Sequence, residues 1–302
     1  MTDGDHRRTT GGGYDRGAGR QYSHPVAARL LPDTSGLPTE LLWNLTLREL
    51  RSKFKRSTLG WLWSVINPLA SIAIYTLVFG VFFKVAPPEG DPSGLEVYGF
   101  WLVCGLLPWT FLSNGLNGAA ASIVGNEGLV KKVYFPRWVL PAASTASWLA
   151  NFGVELVVLG VVLLAVGNLV LPWVPVVLVL MALQTGFVLG VGLVLAGANA
   201  YFRDVQHFLA IGLNIWFYAT PVLYPPEQVP EDFEFLGMTI PIRDLLQLNP
   251  MATFVDAYRD ALYNLRWPTF SQWLTMALIS GGSLAVGALV FRRLEPRLAE
   301  EM

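Results

Sequence analysis

The chain has 302 residues, 53% hydrophobic and 14% charged, with a net charge of −1 and a mean hydropathy of +0.45. A soluble domain carries about 25% charged residues, so an apolar excess on this scale excludes an ordinary water-soluble globule and points to repeated membrane crossing. The weak net charge excludes a bulk attraction to nucleic acid. The single cysteine, Cys104, excludes an intrachain disulfide and a cysteine-built zinc cluster.

In chain order, residues 1–38 are rich in Gly, Arg, Thr and Asp and lack an apolar run. They read as a disordered cytoplasmic tail rather than a signal peptide. Residues 39–56 differ. Leu41, Leu42, Trp43, Leu45 and Phe54 alternate with Arg48, Arg51, Lys53, Lys55 and Arg56. That pattern predicts an amphipathic helix lying in the membrane interface with a basic face. It serves either as a juxtamembrane anchor or as a lever that touches a cytoplasmic partner.

Residues 57–302 form the membrane domain. A span needs about 20 predominantly apolar residues. Stretches free of Asp, Glu, Lys and Arg cover 57–83, 97–126, 156–202, 205–226 and 267–291. The third is too long for one span and is broken at Pro172-Trp173-Val174-Pro175. The expected architecture is an all-α membrane protein with six transmembrane helices near 61–83, 98–120, 141–169, 176–200, 206–223 and 270–291. Twelve Lys and Arg residues near the span ends fall on one side and four on the other. This places both termini in the cytoplasm of a multi-pass protein of the cytoplasmic membrane.

The connection between spans five and six is the long outer one. Its acids Glu227, Glu231, Asp232 and Glu234 read as a solvated loop. Asn249-Pro250 reads as a helix start, followed by Met251, Phe254, Val255, Tyr258 and Leu262 at helical period. A re-entrant-like outer helix that dips back against the bundle is expected there. Glu155 is the only carboxylate inside an expected span, with Asn151 one turn earlier. Such a group either lines a pore or subunit contact, or sits neutral near the membrane edge. No G-x-x-x-x-G-K-[ST], H-E-x-x-H or G-x-S-x-G motif occurs in the sequence.

Several stretches resemble one family. Arg56-Ser57-Thr58-Leu59-Gly60-Trp61-Leu62-Trp63 followed by Asn67-Pro68-Leu69 is similar to the first span of type-2 ABC exporter permeases. Asn126-Glu127-Gly128-Leu129-Val130-Lys131-Lys132-Val133-Tyr134-Phe135-Pro136-Arg137 resembles the connection after their second span. Tyr201-Phe202-Arg203-Asp204-Val205, Thr220-Pro221-Val222-Leu223-Tyr224-Pro225 and Asn249-Pro250-Met251 with Tyr258-Arg259 follow in the same order. The resembling branch is the polysaccharide exporters for O-antigen, teichoic acid and mycobacterial galactan, with the galactan exporters nearest.

The resemblance implies a homodimeric permease driven by two copies of a separate ATPase subunit. ATP and Mg would belong to that subunit, with no cofactor in this chain. The substrate would be a polyprenyl-diphosphate-linked polysaccharide. Exporters of drugs or lipids, and a membrane enzyme acting on lipid-linked sugars, are the alternatives. The resemblance also assigns ATPase coupling to Arg51, Lys53 and Lys55 on the interface helix and to Lys131, Lys132, Phe135 and Pro136 in the connection. Sugar rings stack on aromatic faces, so Tyr75 and Phe79, together with Trp109 and Tyr218, are the expected lining of the substrate path.

Overall fold

A computed structural model describes residues 38–297, apart from 54, 56, 87, 231, 236–237, 241–245 and 247. The tail expected over 1–38 lies outside these residues, save Pro38, which opens the first helix. Helix α1, Pro38–Lys53, has Pro at its first turn, Glu40 near its N-terminus and Arg51 and Lys53 in its last turn. Each suits the helix dipole or the missing donor of a first turn. Leu45, Thr46 and Leu50 are buried while Trp43 and Arg51 are exposed. Of the interface helix expected over 39–56, the structure forms a helix as far as Lys53, with one packed face.

The membrane domain follows as α2, Trp63–Tyr75; α3, Tyr98–Ser122; α4, Glu127–Lys132; α5, Val139–Ala165; α6, Val174–Tyr201; α7, Val205–Tyr218; α8, Pro250–Arg259; and α9, Phe270–Leu294. A wider π-type turn over Thr76–Phe82 extends α2. Among the described residues five segments are long and apolar enough to span: Gly60–Phe82, Tyr98–Ser122, Val139–Ala165, Leu171–Tyr201 and Phe270–Leu294. The sixth expected span, α7, has 14 residues, roughly 21 Å at 1.5 Å per residue, short of a hydrocarbon core of about 30 Å. It stops because Pro221 lacks a backbone donor and steers Thr220 away from helical geometry. Between α7 and α8 runs a two-stranded antiparallel hairpin, β1 Phe233–Phe235 and β2 Met238–Ile240, with Phe233 opposite Ile240. The otherwise helical expectation stands.

Helix α3 is the centre. Of its most apolar 18-residue stretch 78% is buried, against 6% for the α2 segment. It packs on α2, α5, α6, α7 and α8, which explains apolar residues on all its faces. Helices α6 and α9 approach at backbone distance. A methyl group at Gly287 would stand 2.1 Å from the carbonyl oxygen of Gly190, so only glycine fits that crossing. Ser280 Oγ donates to the Leu183 carbonyl at 2.7 Å across the same seam. A second, smaller core joins Leu45 of α1 to Ile123, Val130, Val139, Leu193 and Phe291. It fixes the interface helix to the bundle end that carries the connection after α3.

Candidate functional site

Four elements line a cavity of about 440 Å³, in which polar side chains are interleaved with Trp63, Pro68, Leu106 and Leu107. Lys53 closes it from the C-terminus of α1. Ser64, Asn67 and Ser71 line it from α2, Thr110 and Asn114 from α3, and Trp148, Asn151 and Glu155 from α5. The last three sit at i, i+3 and i+7, one face of α5. Lys53 Nζ lies 3.3 Å from the Trp148 ring centroid. Both Lys53 Nζ and Asn151 Oδ1 are buried without a hydrogen-bond partner among the described residues. Burial pushes the Lys53 ammonium down from its ordinary 10.5 to about 7, against the pull of Glu49 and Glu155. The two intramembrane residues singled out from the sequence, Asn151 and Glu155, thus meet one of the three expected lever cations. Arg51 and Lys55 are exposed elsewhere.

The connection 126–137 forms a second surface. Arg48 Nη2 of α1 donates to Asn126 Oδ1 at 2.6 Å. Lys131 Nζ bonds Glu127 Oε1 at 2.6 Å along α4, which holds the Glu127 carboxyl below its ordinary range. Lys131, Lys132 and Pro136 are exposed, but Phe135 is half-buried and packs against the smaller core. The aromatic that projects is its neighbour: Tyr134 is 100% exposed. Arg137 donates its backbone N–H to Glu295 Oε1 at 2.9 Å and its guanidinium to the Glu295 carbonyl. The end of α9 is thereby tied to the same connection.

The four expected path aromatics separate into two groups. Tyr75 and Phe79 are half-buried, and Phe79 stacks on Tyr98 with centroids 4.9 Å apart; Tyr98 in turn meets Trp101 at 5.5 Å. Trp109 is buried, edge-on to Trp216 at 5.9 Å and tilted against Phe217 at 5.4 Å. Tyr218 is 63% exposed and contacts Phe217.

Sequence reasoning missed the clamp around Arg259. Arg259 of α8 is 3% exposed, and its guanidinium lies 3.5 Å from the centre of the Trp101 ring. It donates to the carbonyls of Pro221 and Val222 at 2.7 Å each and of Trp101 at 3.3 Å. Asn249 caps α8 by accepting from Met251 N–H, takes the Trp216 indole N–H at 2.8 Å, and donates to the Ala219 carbonyl at 3.0 Å. Tyr98 Oη donates to the Leu223 carbonyl, and Tyr224 Oη to that of Tyr218 at 2.7 Å. The carbonyls released where α7 ends are therefore met by side chains. Non-helical backbone at membrane depth requires such partners. The expected helix start at Asn249-Pro250 and its stripe of Met251, Phe254, Val255, Tyr258 and Leu262 are present, all five buried.

The ABC-2 type transporter family matches residues 40–263. The chain is 32% identical to the O-antigen export system permease protein RfbA of Myxococcus xanthus, over 87% of this chain and 95% of that one. It is 29% identical to a Klebsiella pneumoniae protein of the same name, over 86% and 94%. It is 24% identical to the polysialic acid transport protein KpsM of Escherichia coli, over 72% and 79%. With five apolar spans among the described residues, α3 at their centre, and a family match across most of its length, the chain belongs to the ABC-2 type transporter family, as a multi-pass membrane permease subunit and not an enzyme.

Proposed function

We propose that two copies of this chain, with two copies of a separate ATPase subunit, export a polyprenyl-diphosphate-linked polysaccharide across the cytoplasmic membrane. The observation that carries this reading is the similarity to O-antigen export permeases over nearly the whole of their length. ATP and Mg act in the partner, in keeping with the missing phosphate-loop motif. Both termini face the cytoplasm. The joining of α1, the 126–137 connection and the end of α9 through Arg48–Asn126 and Arg137–Glu295 supports that arrangement. Helix α7 then crosses as a short span, completed by the clamped turn 219–223. The O-antigen and polysialic acid names of the relatives support the substrate class. The galactan assignment rests on the resemblance of the sequence alone.

In this reading the exposed surface of α4, Lys131, Lys132, Tyr134 and Pro136 contacts the ATPase, and α1 transmits its motion. The exposed faces of α2 and α7 flank the path between the two copies, with Tyr75, Phe79 and Tyr218 along it and Trp109 behind them. Copurification of the full chain with its ATPase, and stimulation of hydrolysis by lipid-linked glycan, test the proposal. Failure of both overturns it, and stimulation by a drug or simple lipid instead assigns the chain to another exporter class.

A further inference from the structure

Where α6 and α9 reach the basic end of the bundle, a pocket of about 330 Å³ lies between them and the start of α5. Leu189 and Leu193 line it from α6, and Ala288, Phe291 and Arg292 from α9. Glu295, in the turn after α9, ends the row. Ala288, Phe291, Arg292 and Glu295 sit at i, i+3, i+4 and i+7, one face of the helix. Along the axis Arg292 is about 6 Å beyond Ala288 and Glu295 roughly 10 Å beyond it. The pocket thus runs from apolar, inside the two spans, to charged at their ends. Trp138, 37% exposed, closes it just before α5, at the level where Trp gathers at a membrane surface.

The charges say what fits. Arg292 and Arg293 lie in the last turn of α9 and are exposed. Neither has an ion pair or hydrogen bond among the described residues. Glu295 is engaged elsewhere: its Oε1 accepts the Arg137 backbone N–H at 2.9 Å, and its carbonyl accepts from the Arg137 guanidinium. Three guanidinium groups, of Arg137, Arg292 and Arg293, thus stand against one carboxylate, a surplus of two positive charges. A guanidinium fork matches phosphate oxygens. An acidic peptide in water would meet the arginines and leave the apolar end empty. A zwitterionic lipid would fill the apolar end but carry a cation of its own to the arginines. A lipid with an anionic head meets both ends, and basic pockets between spans suit such heads.

We infer that this pocket binds an anionic phospholipid of the leaflet at the basic end, with Arg292 on a phosphate oxygen and the first methylenes over Leu193, Ala288 and Phe291. Trp138 stands beside the glycerol, and the tails run on into the bilayer. The inference needs only that the chain crosses the membrane and stands apart from what is exported. The lipid joins the start of α5 to the end of α9, next to the Arg137–Glu295 joint. The composition of that leaflet therefore bears on how firmly the connection 126–137 is held.

The test is native mass spectrometry of the purified full chain, stripped of lipid in detergent and given equal amounts of dioleoyl phosphatidylglycerol and dioleoyl phosphatidylcholine. Thermal unfolding is followed in parallel with each lipid and with inorganic phosphate. The expected result is retention of phosphatidylglycerol over phosphatidylcholine by about tenfold or more, the scale of one charge-assisted bond. Phosphatidylglycerol raises the unfolding midpoint, and inorganic phosphate does not. Arg292→Gln removes the preference, and Arg292→Lys keeps most of it, which separates charge from folding. Arg203→Gln, at an exposed cation just after α6 and outside the pocket, leaves the preference intact. Ala288→Phe fills the apolar end and weakens retention of both lipids. Equal retention of the two lipids, or an unchanged preference in Arg292→Gln, overturns the inference. Equal loss in Arg203→Gln and Arg292→Gln also overturns it, and leaves a diffuse basic collar in place of a site. Stabilisation by inorganic phosphate as large as that by phosphatidylglycerol overturns the lipid and leaves a free anion as the occupant.

Discussion

Arg48 of α1 and Asn126 at the start of the connection 126–137 share a hydrogen bond of 2.6 Å across 78 positions of sequence. It is the polar joint between the interface helix and the segment proposed to meet the ATPase. The pair is exposed, so its stability contribution is small, about 0.2–1 kcal/mol. Arg48→Ala and Asn126→Ala are expected to insert and assemble normally. Each lowers ATPase stimulation about two- to fivefold, and the double variant adds nothing further. Additive losses in that double-mutant cycle would show that the two residues act separately.

Tyr134 and Phe135 are adjacent yet differ in surroundings. Phe135→Ala removes a half-buried ring from the smaller core and is expected to cost about 1–2 kcal/mol, below the 3–5 of a fully buried ring. Tyr134→Ala leaves the unfolding midpoint unchanged and weakens retention of the ATPase subunit. The check is thermal unfolding in detergent beside a copurification assay. Equal retention of the ATPase by both variants would remove Tyr134 from the contact surface.

Arg259 donates to three carbonyls, those of Trp101, Pro221 and Val222. Arg259→Met is expected to destabilise the chain by about 3–5 kcal/mol, since a buried network loses its charged member. Arg259→Lys restores little, because one compact ammonium cannot bridge carbonyls that a planar fork spans. Denaturant unfolding in detergent reads both, and wild-type stability of Arg259→Met would refute the clamp.

Trp109 and Tyr218 were expected in one role, and the structure separates them. Trp109→Ala empties a buried site and is expected to cost about 3–5 kcal/mol. Tyr218→Ala, at an exposed position, costs under about 0.5 kcal/mol and slows glycan export. Normal export by Tyr218→Ala, in complexes of normal composition, would take it off the path.

Lys53 predicts a pH dependence. It loses its proton at about 7 in the folded chain against 10.5 unfolded, so between those values the unfolded chain binds more protons. Stability therefore rises with pH across that window, and the gain is lost as pH falls from about 10.5 to about 7. Glu49 on the same helix and Glu155 from α5 oppose the shift. Unfolding midpoints measured from pH about 7 to about 10 should climb in the wild type and flatten in Lys53→Met. A flat wild-type profile would place Lys53 in water.

Much of the scaffold is legible in the chain because charge-free stretches and proline breaks are local signals. The 39–56 helix, five of the spans and the helix at Asn249-Pro250 all follow from runs of residues that need no partner to be recognised. The length of α7 was misjudged because a charge-free stretch continues to 226, although Pro221 already marks its end. Tyr134 and Phe135 could not be told apart from sequence. The chain leaves α4 in extended backbone, where neighbours face opposite ways, and only the packed core decides which one is inside. Arg259 reads as one more basic residue of an outer loop, since its acceptors come from α3 and the turn after α7. Glu155 and Asn151 were visible as odd polar groups. Lys53, about a hundred positions earlier, joins them only through the packing of α1 on α5.

The burial of α3 has a bearing on biogenesis. It is the least apolar of the five long spans and the one most enclosed by the others, and it carries Thr110, Asn114 and Asn117. Yet α5, α6 and α8, which enclose it, are synthesised later, so on leaving the ribosome it has only α2 for company. Lipid is a poor solvent for such a helix. Its lasting residence in the bilayer is therefore secured after the fact, when the later helices close round it. A chain truncated before α5 should expose α3 to extraction and proteolysis even though every residue of α3 is present.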